Sequence, residues 1–231
     1  MAQTYLVAKV QHFQDDCAIL PSVQSSLIDE DGLTLTEGNP QTTMNYDHDI
    51  KVGGKLLRVY KVHHDYKIKK TGKVFDKIFH YYLDPKDFYL YYYKRSSLVL
   101  VRAQKDVAKN FLDYLKNYFK SFDYDILEPN LKKIMSKVDG LKGAWIAVVK
   151  DGVKDGVNTE AYFGNEVEND DDVRRGVTTG KATYITFVYL FADKEIYCGI
   201  SKKGNITLYD ESLTEEQKHD LIIEIYDNLI K

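Results

Sequence analysis

Side chains that could hold a metal ion and move a proton occur at two places in the chain. The first is Asp47-His48-Asp49, and the second is His63-His64-Asp65-Tyr66-Lys67. Metal-dependent nucleases use one acid together with a second acid two residues before a lysine, because the carboxylates hold the metal while the lysine polarises the attacking water. This hypothesis assigns catalysis to Asp49, Asp65 and Lys67. The Asp-x-Lys pattern is short and recurs at residues 84–86, so it does not by itself establish an enzyme.

The other catalytic and metal-binding patterns in the chain are incomplete. The stretch from Gly176 to Ala182 lacks both the glycine spacing and the Ser or Thr after the lysine that a phosphate-binding loop requires. The acidic run from Glu166 to Asp172 lacks the alternating ligands and central glycine of a calcium loop. The six histidines show no metal-binding spacing. The sequence therefore predicts no metal and no cofactor, and it favours a protein that is not an enzyme.

The charge of the chain is divided unevenly along its length. Residues 1–50 contain one basic and eight acidic residues, a net charge of −7, whereas residues 51–150 sum to +12 and residues 151–231 to −8. The steepest part is residues 51–77, with nine basic residues against two acidic ones. The overall charge of −3 thus conceals a basic centre between two acidic ends.

Aromatic residues are concentrated in the same central region, from Tyr60 and Tyr66 through Phe79 to the run at residues 88–93. Lysine and arginine neutralise phosphates, and exposed aromatic faces stack on unpaired bases. The leading hypothesis is a non-enzymatic protein that binds nucleic acid, or another acidic partner such as an acidic protein surface, through residues 51–102. The predicted nucleic-acid-binding residues are Lys55, Arg58, Lys61, Lys67, Lys69, Lys70, Lys73, Lys94 and Arg95.

Two further interpretations of the same charge pattern stay open. The tyrosines could alternate into a sheet core while the basic face docks on the acidic flanks of the same chain. Alternatively, the acidic ends of one protomer could meet the basic centre of another, which would make the protein an interaction or self-assembling subunit and a homo-oligomer. Charge counted by segment cannot separate these readings, because it does not show which side chains share a surface.

Composition also bears on the cellular location. No apolar run approaches the roughly 20 residues that a bilayer requires, and the chain starts with polar residues, so we expect a cytoplasmic protein without a membrane span. Cys17 and Cys198 are far apart in sequence and are expected to be buried thiols rather than a disulfide.

The hydrophobic patterns predict an α+β fold with mainly antiparallel sheets and packed helices, in two small subdomains of residues 1–140 and 141–231. The clearest element is a helix at residues 104–121, because Val107, Phe111, Leu115, Tyr118 and Phe122 form one apolar stripe. A polar connection at residues 94–97 predicts a hairpin between strands at 88–93 and 98–102.

The remaining elements follow from shorter signals. In the first half, we expect a strand at 5–10, an apolar run at 17–20, a surface loop at 22–49, a strand at 56–62, a basic turn at 69–72, and helices at 74–82 and 129–138. In the second half, we expect a strand at 144–149, two Asp-Gly turns at 150–157, a three-stranded meander at 183–209, and a helix after the capping box of Thr214 and Gln217.

Overall fold

The computed structural model describes residues 2–13, 41–74, 77–149 and 157–231. It has an α+β fold in which antiparallel strands dominate and helices are few, so the predicted class is confirmed at that level. None of the described helices is long and apolar enough to cross a membrane.

The strands in chain order are β1 (Gln3–Gln11), β2 (Thr42–Val52), β3 (Lys55–Val74), β4 (Lys77–Tyr93), β5 (Leu98–Arg102), β6 (Asp123–Ile126), β7 (Leu141–Val149), β8 (Val157–Phe163), β9 (Ala182–Phe191), β10 (Lys194–Ser201) and β11 (Asn205–Leu208). The α-helices are α1 (Lys105–Tyr118), α2 (Leu131–Met135), α3 (Asp171–Thr178) and α4 (Glu215–Ile225).

The chain divides into two compact units. The first, called unit 1, comprises residues 1–9, 51–55 and 125–231, and the second, called unit 2, comprises residues 10–50 and 56–124. Both units are interrupted in sequence. The predicted division after residue 140 stays a prediction.

In unit 2, strands β2, β3, β4 and β5 are neighbours in that order. Successive side chains of a strand point to opposite faces, and the face that carries Tyr60, Val62 and His64 is buried. Helix α1 contributes Phe111, which is fully buried and whose ring lies 5.7 Å from that of His64 and 5.4 Å from that of Phe88. The predicted helix is therefore confirmed, with α1 packed on this face of the sheet.

In unit 1, the strands lie in the order β1, β11, β10, β9, β7 and β8. The pairings of β9 with β10 and of β10 with β11 are antiparallel, which confirms the predicted meander. The pairing of β7 with β8 is also antiparallel. Helix α4 begins with the predicted capping box, since the Thr214 hydroxyl accepts from the Gln217 amide at 3.2 Å and the Gln217 side chain accepts from the Thr214 amide at 2.9 Å.

Three predictions in the first half are wrong for one physical reason. The expected turn at residues 69–72 and the expected helix at 74–82 are parts of the long strands β3 and β4, whose pairing continues from Arg58 with Tyr92 to Val74 with Lys77. The expected loop at 22–49 is strand β2 from residue 42 onward. In each case pairing with a neighbouring strand overrides a local turn or helix signal.

Some of the remaining predictions fall on described residues, and others do not. The opening strand, the hairpin of β4 with β5 and the short helix after Pro129 are confirmed. Cys198 is a buried thiol, and burial raises its pKa to about 12. The apolar run at 17–20 with Cys17, the loop at 22–40 and the Asp-Gly turns at 150–156 lie outside the described residues.

Candidate nucleic-acid interface

The hairpin of β3 and β4 continues well beyond the part that α1 covers. From Tyr66 to Asp87, none of the side chains that the structure describes is buried, whereas His64 and Phe88 are. The segment from Asp65 to Val74 is about 30 Å long at the usual rise of a strand. We call the paired strand segments of residues 66–74 and 77–86 the ribbon.

The ribbon has a defined internal geometry. Its register shifts between Lys69 and Gly72, and such a bulge strengthens the local twist. The Phe79 ring lies directly over Gly72, where any Cβ would overlap it. On the same face, the Lys67 ammonium lies 3.9 Å from the centroid of the Tyr81 ring, a cation–π contact.

The opposite face of the ribbon presents apolar side chains to solvent. Ile78 is 61% exposed and Tyr82 is 43% exposed. Tyr82 is directly opposite Ile68. The Thr71 hydroxyl lies 3.4 Å from Nδ1 of His80. The ribbon thus combines cations with aromatic and apolar side chains.

The charge of the ribbon is strongly positive. Residues 66–86 contain six lysines and two aspartates. Lys69 and Lys70 are exposed, and neither has an ion-pair partner within the described part of the chain. Lys86 pairs with Asp84 at 2.8 Å. Lys69 and Lys70 are therefore the cations of the ribbon best placed to meet an anionic ligand.

The predicted binding residues do not all share this surface. Only Lys67, Lys69, Lys70 and Lys73 belong to the ribbon. Lys94 and Arg95 form the turn at the other end of β4. Lys94 is thirteen positions further along the chain than Tyr81, the partner of Lys69, which corresponds to about 43 Å of strand.

Of the other three predicted binding residues, Lys61 and Lys55 form ion pairs with carboxylates. Lys61 forms an ion pair with Asp47 at 2.8 Å, and this hydrogen bond lowers the pKa of Asp47. Lys55, in unit 1, pairs with Asp220 at 2.7 Å. Arg58 is half-buried. An incoming anion would have to displace a carboxylate from Lys61 or Lys55. At Lys69 it would meet no such competitor among the described residues.

The three candidate nuclease residues are not brought together. Asp65 is beside Gln41, whose backbone amide donates to Asp65 Oδ2 at 2.7 Å. Asp49 is eight residues further along the chain than Gln41, almost all of it strand β2, a distance of about 26 Å. Lys67 contacts Tyr81. In the described ranges, no group of three His, Cys, Asp or Glu side chains could hold a metal ion.

One histidine arrangement was not predicted from the sequence. His63 Nδ1 lies 2.8 Å from Asp87 Oδ1, and its Nε2 lies 3.5 Å from Asp65 Oδ1. It lines a groove of about 420 Å³ together with Lys61 and Arg102. The sequence could not reveal this because Asp87 meets His63 only through the strand register. The lining of this groove contains Lys61, Arg102 and Asp87, so side chains of both charges face it.

The apolar residues of the ribbon were also missed as site residues. Ile78 and Tyr82 fell within a segment predicted as helix. The alternation of Ile78, His80 and Tyr82 with Phe79 and Tyr81 was the signal for a strand with two different faces.

The comparisons with known proteins give no relative from which a function could be transferred. No protein-family model matches the chain. No curated protein matches it either. The function must therefore be inferred from the geometry.

Proposed function

We propose that this protein is a non-enzymatic nucleic-acid-binding protein whose ribbon contacts double-stranded nucleic acid. The observation that carries the proposal is a two-stranded segment whose described side chains are all at least partly exposed. It carries Lys69 and Lys70, both exposed and without ion-pair partners among the described residues. A two-stranded ribbon fits the major groove of a DNA duplex. Lysines on such a ribbon neutralise phosphates and release counterions.

The alternatives have less support. The nuclease hypothesis lacks a shared site, because Asp49 and Asp65 lie far apart along the strands. An acidic protein surface could use the same lysines, and self-association of the chain would use its acidic ends. The experiment below separates self-association from nucleic-acid binding. The predicted cytoplasmic location and the homo-oligomer stay predictions.

The test is fluorescence anisotropy of a labelled DNA duplex of about 20 base pairs at low salt, with magnesium present and product length checked on a gel. The test variant is Lys69→Ala/Lys70→Ala. The control variant is Lys132→Ala/Lys133→Ala, which removes the same charge from exposed positions of α2.

We expect binding without cleavage, about tenfold or more weaker in the ribbon variant and nearly unchanged in the control. Failure of the wild-type protein to bind duplex would contradict the proposal, as would equal weakening in both variants. Magnesium-dependent cleavage would restore the nuclease hypothesis. Salt-sensitive self-association without nucleic-acid binding would favour the assembly subunit.

A further inference from the structure

One face of the unit 1 sheet is covered by helices, and the other carries a line of aromatic rings. Tyr189 on β9 donates to Glu224 on α4 at 2.9 Å, and Ile146 on β7 meets Gly176 on α3. Side chains alternate along a strand, so Trp145 and Tyr184 point away from these helices. We call the surface formed by Phe163, Trp145, Tyr184, Tyr197 and Tyr209 the aromatic face.

The rings of the aromatic face contact one another across neighbouring strands. The Trp145 ring centroid lies 5.0 Å from that of Phe163 and 5.0 Å from that of Tyr184, both edge to face. The hydroxyls of Tyr184 and Tyr209 are 2.8 Å apart, and the Tyr209 and Tyr197 rings are 5.3 Å apart. The rings therefore hold one another in place before any ligand arrives.

Two glycines lie beneath side chains of this face. Gly199 on β10 lies under Tyr184, and a Cβ there would overlap the phenol of that tyrosine. Gly143 on β7 lies beneath Phe163 and Thr186. Glycine in a strand interior weakens the strand and marks a close approach. At Gly199 that close approach allows the Tyr184 ring to lie across the neighbouring strand as part of a platform.

The aromatic face is open to solvent and has lysines at one end. Phe163 is 68% exposed, Tyr197 37% and Tyr209 39%. Lys202 and Lys203 follow Ser201, the residue paired with Tyr184. Both lysines are exposed, and neither forms an ion pair with a described residue. Lys202 donates to the Gly180 carbonyl at 2.9 Å.

We propose that the aromatic face binds single-stranded nucleic acid by stacking unpaired bases on its rings, with Lys202 and Lys203 near the phosphates. Aromatic platforms beside positive charge are the usual means of binding single strands. This inference rests on the proposed function for its class of ligand, and it uses different residues from the ribbon.

A second copy of this chain is the other occupant to consider. A contact between protein copies would use the exposed rings, since aromatic side chains are enriched at protein interfaces, together with Leu190, which is 64% exposed. Leu190 is directly opposite Glu195, at the strand ends remote from Lys202. Trp145 and Tyr184 lie at the same end of the face as the lysines, and this positive charge favours an anionic ligand with flat bases over a second copy.

The test uses Trp145, the single tryptophan of the chain, as a fluorescent probe at the centre of the face. The protein is titrated with an unlabelled thymidine oligonucleotide of about 12 bases. The salt is about 0.5 M NaCl, which screens exposed phosphate contacts. We expect saturable quenching of Trp145. Phe163→Ala and Tyr197→Ala should each weaken binding about tenfold, whereas the control Leu190→Ala should not.

Two results would overturn the inference. One is an absence of quenching at both low and high salt. The other is quenching that depends on protein concentration alone and is reduced most by Leu190→Ala, which would indicate a second copy. The ribbon variant Lys69→Ala/Lys70→Ala should keep the quenching. If the wild-type protein shows quenching but does not bind duplex, the proposed role of the ribbon fails while the inference about the aromatic face stands.

Discussion

The two parts of the β3–β4 hairpin share one continuous ladder and differ in what covers them. Near α1, Tyr60, Val62 and Leu90 are buried, whereas beyond His64 the described side chains of the ribbon are all at least partly exposed. An isolated two-stranded hairpin is marginally stable in water. Backbone pairing can therefore extend the ladder, but packing against a helix supplies its stability.

The ribbon is therefore expected to tolerate changes that the covered part does not. Its order depends on cross-strand contacts such as Lys67 with Tyr81 and Phe79 with Gly72. Such pairs contribute only about 0.2–1 kcal/mol each. The core does not require the lysines of this segment, and under the proposed function they contact phosphates.

The largest expected effect is on the covered part. Phe111→Ala removes a fully buried ring that contacts His64 and Phe88. We expect the free energy of unfolding in urea to fall by about 3–5 kcal/mol. Tyr82→Ala removes a ring from the ribbon as its matched control and should cost less than about 1 kcal/mol. Equal losses in the two variants would remove the distinction between the two parts of the hairpin.

The next effect is at the border between the two parts. His64 is buried, with Nδ1 2.8 Å from the Thr42 hydroxyl and Nε2 2.8 Å from Asn110 Oδ1. Burial is the largest effect on the pKa of His64 and lowers it, and the charge of His63 lowers it further. The hydrogen bond that His64 donates to Asn110 and the charge of Asp65 act in the opposite direction. The unfolded chain therefore takes up this proton more readily. The contribution of His64 to the free energy of unfolding is fully present above its ordinary pKa of about 6.5. It is lost as the pH falls from there through the lowered pKa of the folded state.

His64→Phe tests this border directly. The variant leaves Thr42 and Asn110 without their buried partner, so we expect a loss of about 1–3 kcal/mol near neutral pH. Its stability should also fall less than that of the wild type between pH 7 and 5. His80→Gln, which changes an exposed ribbon histidine, should keep the wild-type profile. An unchanged slope in His64→Phe would show that other groups cause the acid sensitivity.

The smallest expected effect is within the ribbon. Ile78→Ala shortens a side chain that is already 61% exposed, so the free energy of unfolding should change by no more than about 0.5 kcal/mol. Leu90→Ala, a fully buried position in the same strand, should cost about 2–5 kcal/mol. Thermal or urea unfolding of the two variants checks whether the loss of stability follows the burial of the side chain or only its position in the strand.

The sequence predicted those elements whose signals are local. The apolar stripe of Val107, Phe111 and Leu115 defined α1, and Thr214 with Gln217 defined the start of α4. The ribbon was missed because the spacing of Val74, Ile78 and Phe79 fits a helix as well as it fits two paired strands. Which of these was correct depended on pairing between distant residues, which a local pattern does not contain.

The candidate site was predictable in its residue types and not in its arrangement. Charge and aromatic content pointed to residues 51–102, including Lys67, Lys69 and Lys70. The strand register decided that Lys94 lies far from these lysines and that Asp47 pairs with Lys61. The aromatic face was not predicted, because Trp145, Tyr184 and Tyr197 come from three strands that the sheet brings together.

The most direct test of the central claim is the salt dependence of duplex binding. The logarithm of the dissociation constant is measured against the logarithm of the salt concentration for the wild type and for Lys69→Ala/Lys70→Ala. If both lysines contact phosphates, the slope of the variant should be shallower by about 2, since each neutralised phosphate contributes about 0.9. Identical slopes would show that these lysines do not contact the nucleic acid and would contradict the proposed role of the ribbon.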